Sequence, residues 1–276
     1  MERKVKHVVK GSPDKDGAGV KLIRVLDRET VDKYDPFLLL DSFDSRNPDD
    51  YIAGFPMHPH RGIETITFLS NGSIRHKDSL DNIGIISDGE VQWMTAGSGI
   101  LHEEMLLESE YMLGIQLWVN LPAKDKMTDP EYHEITKDKI PEIPIENGKL
   151  RIIGGEYNGV YGHRGNYLPV TFYDIHLEKN SSFVIPAEKD ESAFVFLLKG
   201  NGKVAGAYVE EKTAVMTTEG DKLFIESMEE DIEILFISAP RLNEEIAWGG
   251  PIVMNTREEL RLASKELREG TFIKLK

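Results

Sequence analysis

The 276-residue chain contains no cysteine. That absence excludes disulfides, thiolate metal ligands and a cysteine nucleophile together. Long hydrophobic runs are missing too. Nothing approaches the roughly 20 apolar residues of a membrane span, and the opening residues lack the roughly 7–15 apolar residues of a secretory signal core. Positive charge is scarce, with 33 Lys and Arg against 48 Asp and Glu and a formal net charge of −15. A nucleic-acid surface would need a local basic patch opposing that field, and none is visible. The opening MERKVKHVVK alternates its cations with valine and reads as a strand with one solvated face. The default expectation is a cytoplasmic protein with no nucleic-acid or membrane partner.

What is present is a β-rich globular composition, 40% hydrophobic and 29% charged, long enough for two domains. Short apolar runs rich in β-branched and aromatic residues recur between Gly, Asn and Asp punctuation, as in ETITFL, GEVQWMTA and GIQLWVNL. Between positions 122 and 148 charge and four prolines replace that rhythm, and proline cannot continue a central strand. The strand pattern then resumes through PVTFYDIHL, SAFVFLLKG and IEILFISAP. The expected division is a first domain over 1–135, a linker over 136–149 and a second domain over 150–276. An offset of about 130 places TFLSNG near VFLLKG and Gly89 near Gly220, as a duplicated antiparallel barrel would. Near the end of the sequence, Thr256 and Glu259 have capping-box spacing, Leu260, Ala263 and Leu267 share a face, and Gly270 stands where a C-terminal cap belongs.

Three of the eight histidines fall in two compact motifs, His58-Pro59-His60 and His102-Glu103-Glu104. Side chains at i and i+2 of a strand leave on the same face, about 7 Å apart along the backbone, so each motif can aim two donors inward. Two such pairs make a clamp of His58, His60, His102 and Glu104 around one metal ion. Pro59 donates no backbone hydrogen bond, which puts the first pair at a strand start or a bulge near a barrel rim. Imidazoles with one carboxylate and no thiolate suit a divalent first-row metal in an open site: Fe(II), Ni, Cu, Co, Mn or Zn.

The segments DPFLLLDSF (Asp35 to Phe43), HPHRGIETIT (His58 to Thr67), GEVQWMTAGSGILHEEM (Gly89 to Met105) and GGPIVMNT (Gly249 to Thr256) resemble pirin signatures in pirin order. Pirins belong to the cupin superfamily. The resemblance implies an all-β bicupin, two antiparallel jelly-roll barrels with a C-terminal helix. The first barrel would hold metal through His58, His60, His102 and Glu104, with Fe(II) the leading candidate. Most metal-binding cupins take their glutamate four residues after the second histidine. That position is Glu64 here, which we assign to a structural role, while Glu103 points to the opposite strand face.

In the second barrel, neither Pro186 to Phe194 nor the region of Ile232 to Ile234 contains a histidine, so no metal is expected at a matching site. His7, His76, His133, His163 and His176 are read as packed or solvent-facing. Trp93, Met94 and Phe55 are read as core or cavity wall, and Arg61 either pairs with an acid or lines the mouth. Pirins resemble quercetin 2,3-dioxygenases, which implies O₂-dependent ring cleavage of a flavonol with loss of carbon monoxide. In that reading Glu104 is a metal ligand or, when it swings off, the general base. The alternative is a redox-responsive protein that modulates a transcription factor or metabolic enzyme. A monomer is expected, because two fused barrels cover each other's open faces.

Overall fold

A computed structural model describes residues 1–274. The strands of its main sheets pair antiparallel and fall into two compact units. One unit contains Pro13–Arg24, Phe37–Thr136 and the chain from Leu242 onward. Its seven-stranded sheet runs in the order Glu131–Ile135, Val91–Thr95, Ile63–Asn71, Met112–Asn120, Phe37–Ser45, Val20–Leu26 and Ser12–Asp16. Its four-stranded sheet runs Phe55–His60, Ile100–Leu107, Ser73–Asp78 and Ile83–Ile86. Leu22, Phe43, Leu69 and Met112 of the first sheet pack with Ile74, Ile86 and Leu106 of the second. Each such side chain contributes about 1.5–3 kcal/mol when removed from water. Period-2 alternation sets which residues enter the barrel. In Ile100–Leu107 the buried set is Ile100, His102, Glu104 and Leu106, so two of the expected donors share the inward face with two core residues.

The other unit contains Met1–Ser12, Val25–Pro36 and Lys137–Arg241. It repeats the plan with a seven-stranded and a four-stranded sheet, the latter running Ser182–Pro186, Lys222–Ser227, Gly202–Val204 and Ala207–Val209. The opening strand Val5–Lys10 alternates in burial as expected and pairs with Thr213–Thr217. It therefore belongs to the unit built mainly from the second half. The helix Arg257–Glu269 belongs to the unit built mainly from the first half. The units thus differ from the sequence division 1–135 and 150–276, because each takes a terminal segment from the other end of the chain. The stretch 136–149 also differs from a bare linker. Glu142–Ile145 is an edge strand on Gly148–Gly154, and at an edge Pro144 sacrifices no ladder bond.

The duplication is visible in the strand orders, with one correction. Ile63–Asn71 and Ser192–Lys199 occupy equivalent places, as the Gly72 and Gly200 pairing implies. Gly89 and Gly220 precede non-equivalent strands: Val91–Thr95 lies in a seven-stranded sheet and Lys222–Ser227 in a four-stranded one. The hairpin Gly202–Val204 with Ala207–Val209 is shorter than Ser73–Asp78 with Ile83–Ile86, which changes the offset past that point. The C-terminal helix forms as read. Thr256 and Glu259 make the reciprocal capping box, and Gly270 takes the left-handed cap at φ 70°.

Candidate metal centre

The strand Phe55–His60 is the edge of the four-stranded sheet, where Pro59 is tolerated. The histidine pair sits at its C-terminal end rather than its start. Register sets His58 opposite His102 and His60 opposite Ile100, and a bulge intervenes before Glu104. The Nε2 atoms of His58 and His60 lie 3.0 Å apart, as do those of His102 and His58. Donor atoms from all three imidazoles fall within 4.8 Å of one another.

The outer nitrogens fix where the protons are. His58 Nδ1 donates to the Pro56 carbonyl at 2.9 Å, and His60 Nδ1 donates to the Pro251 carbonyl at 3.0 Å. A carbonyl only accepts, so both Nε2 atoms are bare when the rings are neutral. Burial drives the pKa of His60 down to about 3, with His58 adding to it. Burial first, and then the surrounding imidazoles, hold His102 well below its ordinary value. With both rings neutral, the lone pairs of His58 and His60 face one another at 3.0 Å, a repulsive arrangement that a cation relieves. Two nitrogens each about 2.1 Å from one ion stand about 3.0–3.4 Å apart in octahedral or tetrahedral geometry. The donor set therefore fits a first-row divalent ion.

Glu104 is placed differently. It is buried on the inward face but lies outside the three-imidazole group. Gln92 Nε2 and Thr67 Oγ1 donate to its Oε1 at 3.0 and 3.2 Å, and Gln116 Nε2 donates to its Oε2 at 2.6 Å. Trp118 Nε1 donates to Gln116 Oε1 at 3.4 Å, which orients that amide. The structure therefore brings His58, His60 and His102 together and leaves the carboxylate held by amides and a hydroxyl. Glu103 is half-buried on the opposite face. Glu64 is buried on another strand, where its carboxyl accepts from Thr95 Oγ1 at 2.7 Å.

The chain from Leu242 onward supplies parts of the centre that spacing cannot reveal. Besides the Pro251 carbonyl, it sets Trp248 beside Trp118, whose ring meets His60 edge-on at 4.9 Å. Trp118 stands by His60 with Trp248 against it, whereas Trp93 and Met94 are core and Phe55 packs at the core's margin. The ambiguity at Arg61 resolves to the acidic pairing. Its buried guanidinium meets Glu266 at 2.7 Å and donates to the carbonyls of Ser98 and Phe272. Lys126 Nζ donates to the carbonyls of Gly62 and Val253 and to Asn120 Oδ1. Burial lowers its pKa to about 8. At Gly62, φ is +78° and a Cβ would lie 2.0 Å from the Val253 carbonyl oxygen, so only glycine admits this approach.

His76 is packed, one of the two readings given for it, and it also reaches the centre. It is fully buried, stacks on Tyr132 at 4.3 Å and 15°, and sets its Nδ1 3.4 Å from His102 Nδ1. The signal was available in the strand SIRHKD, where His76 and Asp78 have the same i, i+2 spacing as HPH. In the other unit the inward places on Ser182–Pro186 and Lys222–Ser227 are Phe183, Ile185, Leu223 and Ile225, which join its apolar core. His176 groups there with Asp174 and Glu233. The Asp174 carboxylate is already engaged by Arg151 at 3.0 Å and by His176 at 3.1 Å, forming an ion network on the sheet's other face. Among the described residues no helix is long and apolar enough to cross a membrane.

Comparison with known proteins agrees with this architecture. The pirin family pattern matches residues 19–119, and that of the pirin C-terminal cupin domain matches residues 172–273. A pirin-like protein of Caulobacter vibrioides is 39% identical over 274 residues, covering 98% of this chain and 99% of the relative. Pirin of Homo sapiens is 33% identical over 275 residues, covering 97% of this chain and 93% of that protein. The crystal structure of a quercetin 2,3-dioxygenase from Acinetobacter baumannii superposes with a TM-score of 0.91 at 32% identity, covering 99% of each chain. Both barrels are matched, each by its own pattern and jointly by full-length relatives, and the chain belongs to the pirin family.

Proposed function

We propose that this protein is a metal-dependent dioxygenase that cleaves the heterocycle of a flavonol with O₂, releasing carbon monoxide. The observation that carries the reading is the convergence of the Nε2 atoms of His58, His60 and His102, with His58 3.0 Å from each of the other two, on strands whose inward face also buries the Glu104 carboxylate. His58, His60 and His102 would hold the ion, Fe(II) first among the candidates. When bound, such an ion supplies Lewis acidity and one-electron chemistry toward oxygen.

The remaining work belongs to the chain. The indole of Trp118 beside His60, with that of Trp248 against it, offers aromatic surface suited to a planar polyphenol. Glu104 supplies the carboxylate, either as the fourth ligand or, from its hydrogen-bonded position, as the base that takes the flavonol hydroxyl proton. Glu104→Gln separates the two roles: loss of bound metal assigns ligation, and retained metal with lost turnover assigns the base.

The test loads the protein anaerobically with Fe(II), adds quercetin and then admits oxygen. Oxygen uptake matched by carbon monoxide release is expected, and both should vanish in His58→Ala. Full metal occupancy without oxygen uptake for any flavonol would contradict the dioxygenase reading. It would favour a regulatory role in which a protein partner responds to the metal's oxidation state.

A further inference from the structure

His58 and His60 have their outer nitrogens tied to carbonyls, but His102 does not. Its Nδ1 faces another imidazole nitrogen, His76 Nδ1, at 3.4 Å. One of the two must carry a proton and the other must not. The answer lies one residue pair further out. The strand Ser73–Asp78 buries Ile74, His76 and Asp78 on one face, and its register with Ile100–Leu107 sets Asp78 opposite His102 and His76 opposite Glu104.

Four donors converge on the Asp78 carboxylate. The backbone N–H groups of Leu80 and Asn82 donate to Oδ1 at 2.9 and 3.1 Å, and Asn82 Nδ2 and His76 Nε2 donate to Oδ2 at 2.9 and 3.0 Å. So many donors require an ionised acceptor. The His76 proton therefore resides on Nε2, and Nδ1 of a neutral His76 is bare.

We propose that Asp78 and His76 act as positioning residues that fix the tautomer of His102, placing its proton on Nδ1 and leaving Nε2 bare toward His58 and His60. This inference rests on the metal-centre reading and deepens it. The order runs from the Asp78 carboxylate through His76 Nε2–H, His76 Nδ1, His102 Nδ1–H and on to His102 Nε2. It also makes His102 the ligand backed by a negative charge at one remove, where the other two are backed by neutral carbonyls. Carboxylates behind a ligating imidazole raise its donor strength.

Asp78→Asn inverts the chain. The backbone N–H groups of Leu80 and Asn82 would keep the new amide's oxygen, leaving its NH₂ toward His76 Nε2. That nitrogen would become the acceptor, His76 Nδ1 would carry the proton, and His102 would be driven to the Nε2–H form that cannot ligate. His76→Phe keeps the stack on Tyr132 but removes the link.

The experiment records long-range ¹H–¹⁵N NMR of the metal-free histidines, and Co(II) affinity by competition with a chelator. In the wild type His102 is expected as the Nδ1–H form and His76 as the Nε2–H form; the opposite assignment overturns the inference without need of any variant. Both variants should lower Co(II) affinity about 10–100-fold, with Asp78→Asn moving the His102 proton to Nε2. Variants that stay folded and bind Co(II) within about twofold of wild type would also overturn it. If wild-type protein binds no Co(II), the metal reading fails, while the tautomer measurement still decides the proton order.

Discussion

The Nδ1 atom of His60 donates to the carbonyl oxygen of Pro251 at 3.0 Å, joining residues 191 positions apart in the chain. A histidine of the front motif is thus oriented by a segment that returns to the same unit only after Leu242. The anchor of that returning segment is the Arg61 guanidinium, which stacks 4.2 Å over Phe272 and meets Glu266 on the C-terminal helix.

Removing one partner of a buried ion pair strands the other charge, at a typical cost of about 3–5 kcal/mol. Glu266→Ala is therefore expected to lower unfolding free energy by about 3 kcal/mol, measured by urea denaturation of the metal-free protein. A change within about 0.5 kcal/mol would show that Arg61 is satisfied by the Ser98 and Phe272 carbonyls alone.

Glu64 yields a pH dependence. Burial raises its carboxyl from an ordinary 4.5 to about 7, against the opposing hydrogen bond from Thr95. The folded state holds this proton more tightly than the unfolded chain, so the contribution to stability is complete below about pH 4.5 and is lost as pH rises through about 7. Glu64→Gln, neutral throughout, should be more stable relative to wild type at about pH 8.5 than at about pH 5. Melting curves at both values test this, and a difference independent of pH would contradict it.

Trp118 stands edge-on to His60. An aromatic pair is worth about 0.5–1.5 kcal/mol, or up to about tenfold in affinity. Trp118→Leu should raise KM for a flat flavonol by that factor while leaving metal content unchanged. Steady-state kinetics with parallel metal analysis would check both, and an unchanged KM would remove the indole from the substrate site.

Much of the centre was legible because a strand reports its face with period 2. HPH and HEE announced inward pairs, and Thr256, Glu259 and Gly270 announced a capped helix, since both signals are local. His76 was legible as a packed residue, but its link to the centre depends on His102, which lies on the neighbouring strand. Gln92 and Gln116 were hidden for a related reason: each is one polar residue in an apolar run, and only the fold aims both at Glu104. Nothing local in the chain after Leu242 indicates that Pro251, Trp248 and Glu266 return to the first barrel. The exchange of terminal segments likewise escaped a reading that cut the chain into consecutive halves.

X-ray absorption of the Fe(II)-loaded protein tests the shared centre most directly. Three imidazole nitrogens bound to one ion per chain are expected, falling to two in His102→Ala. A wild-type spectrum fitted by oxygen donors with one imidazole or none would contradict it.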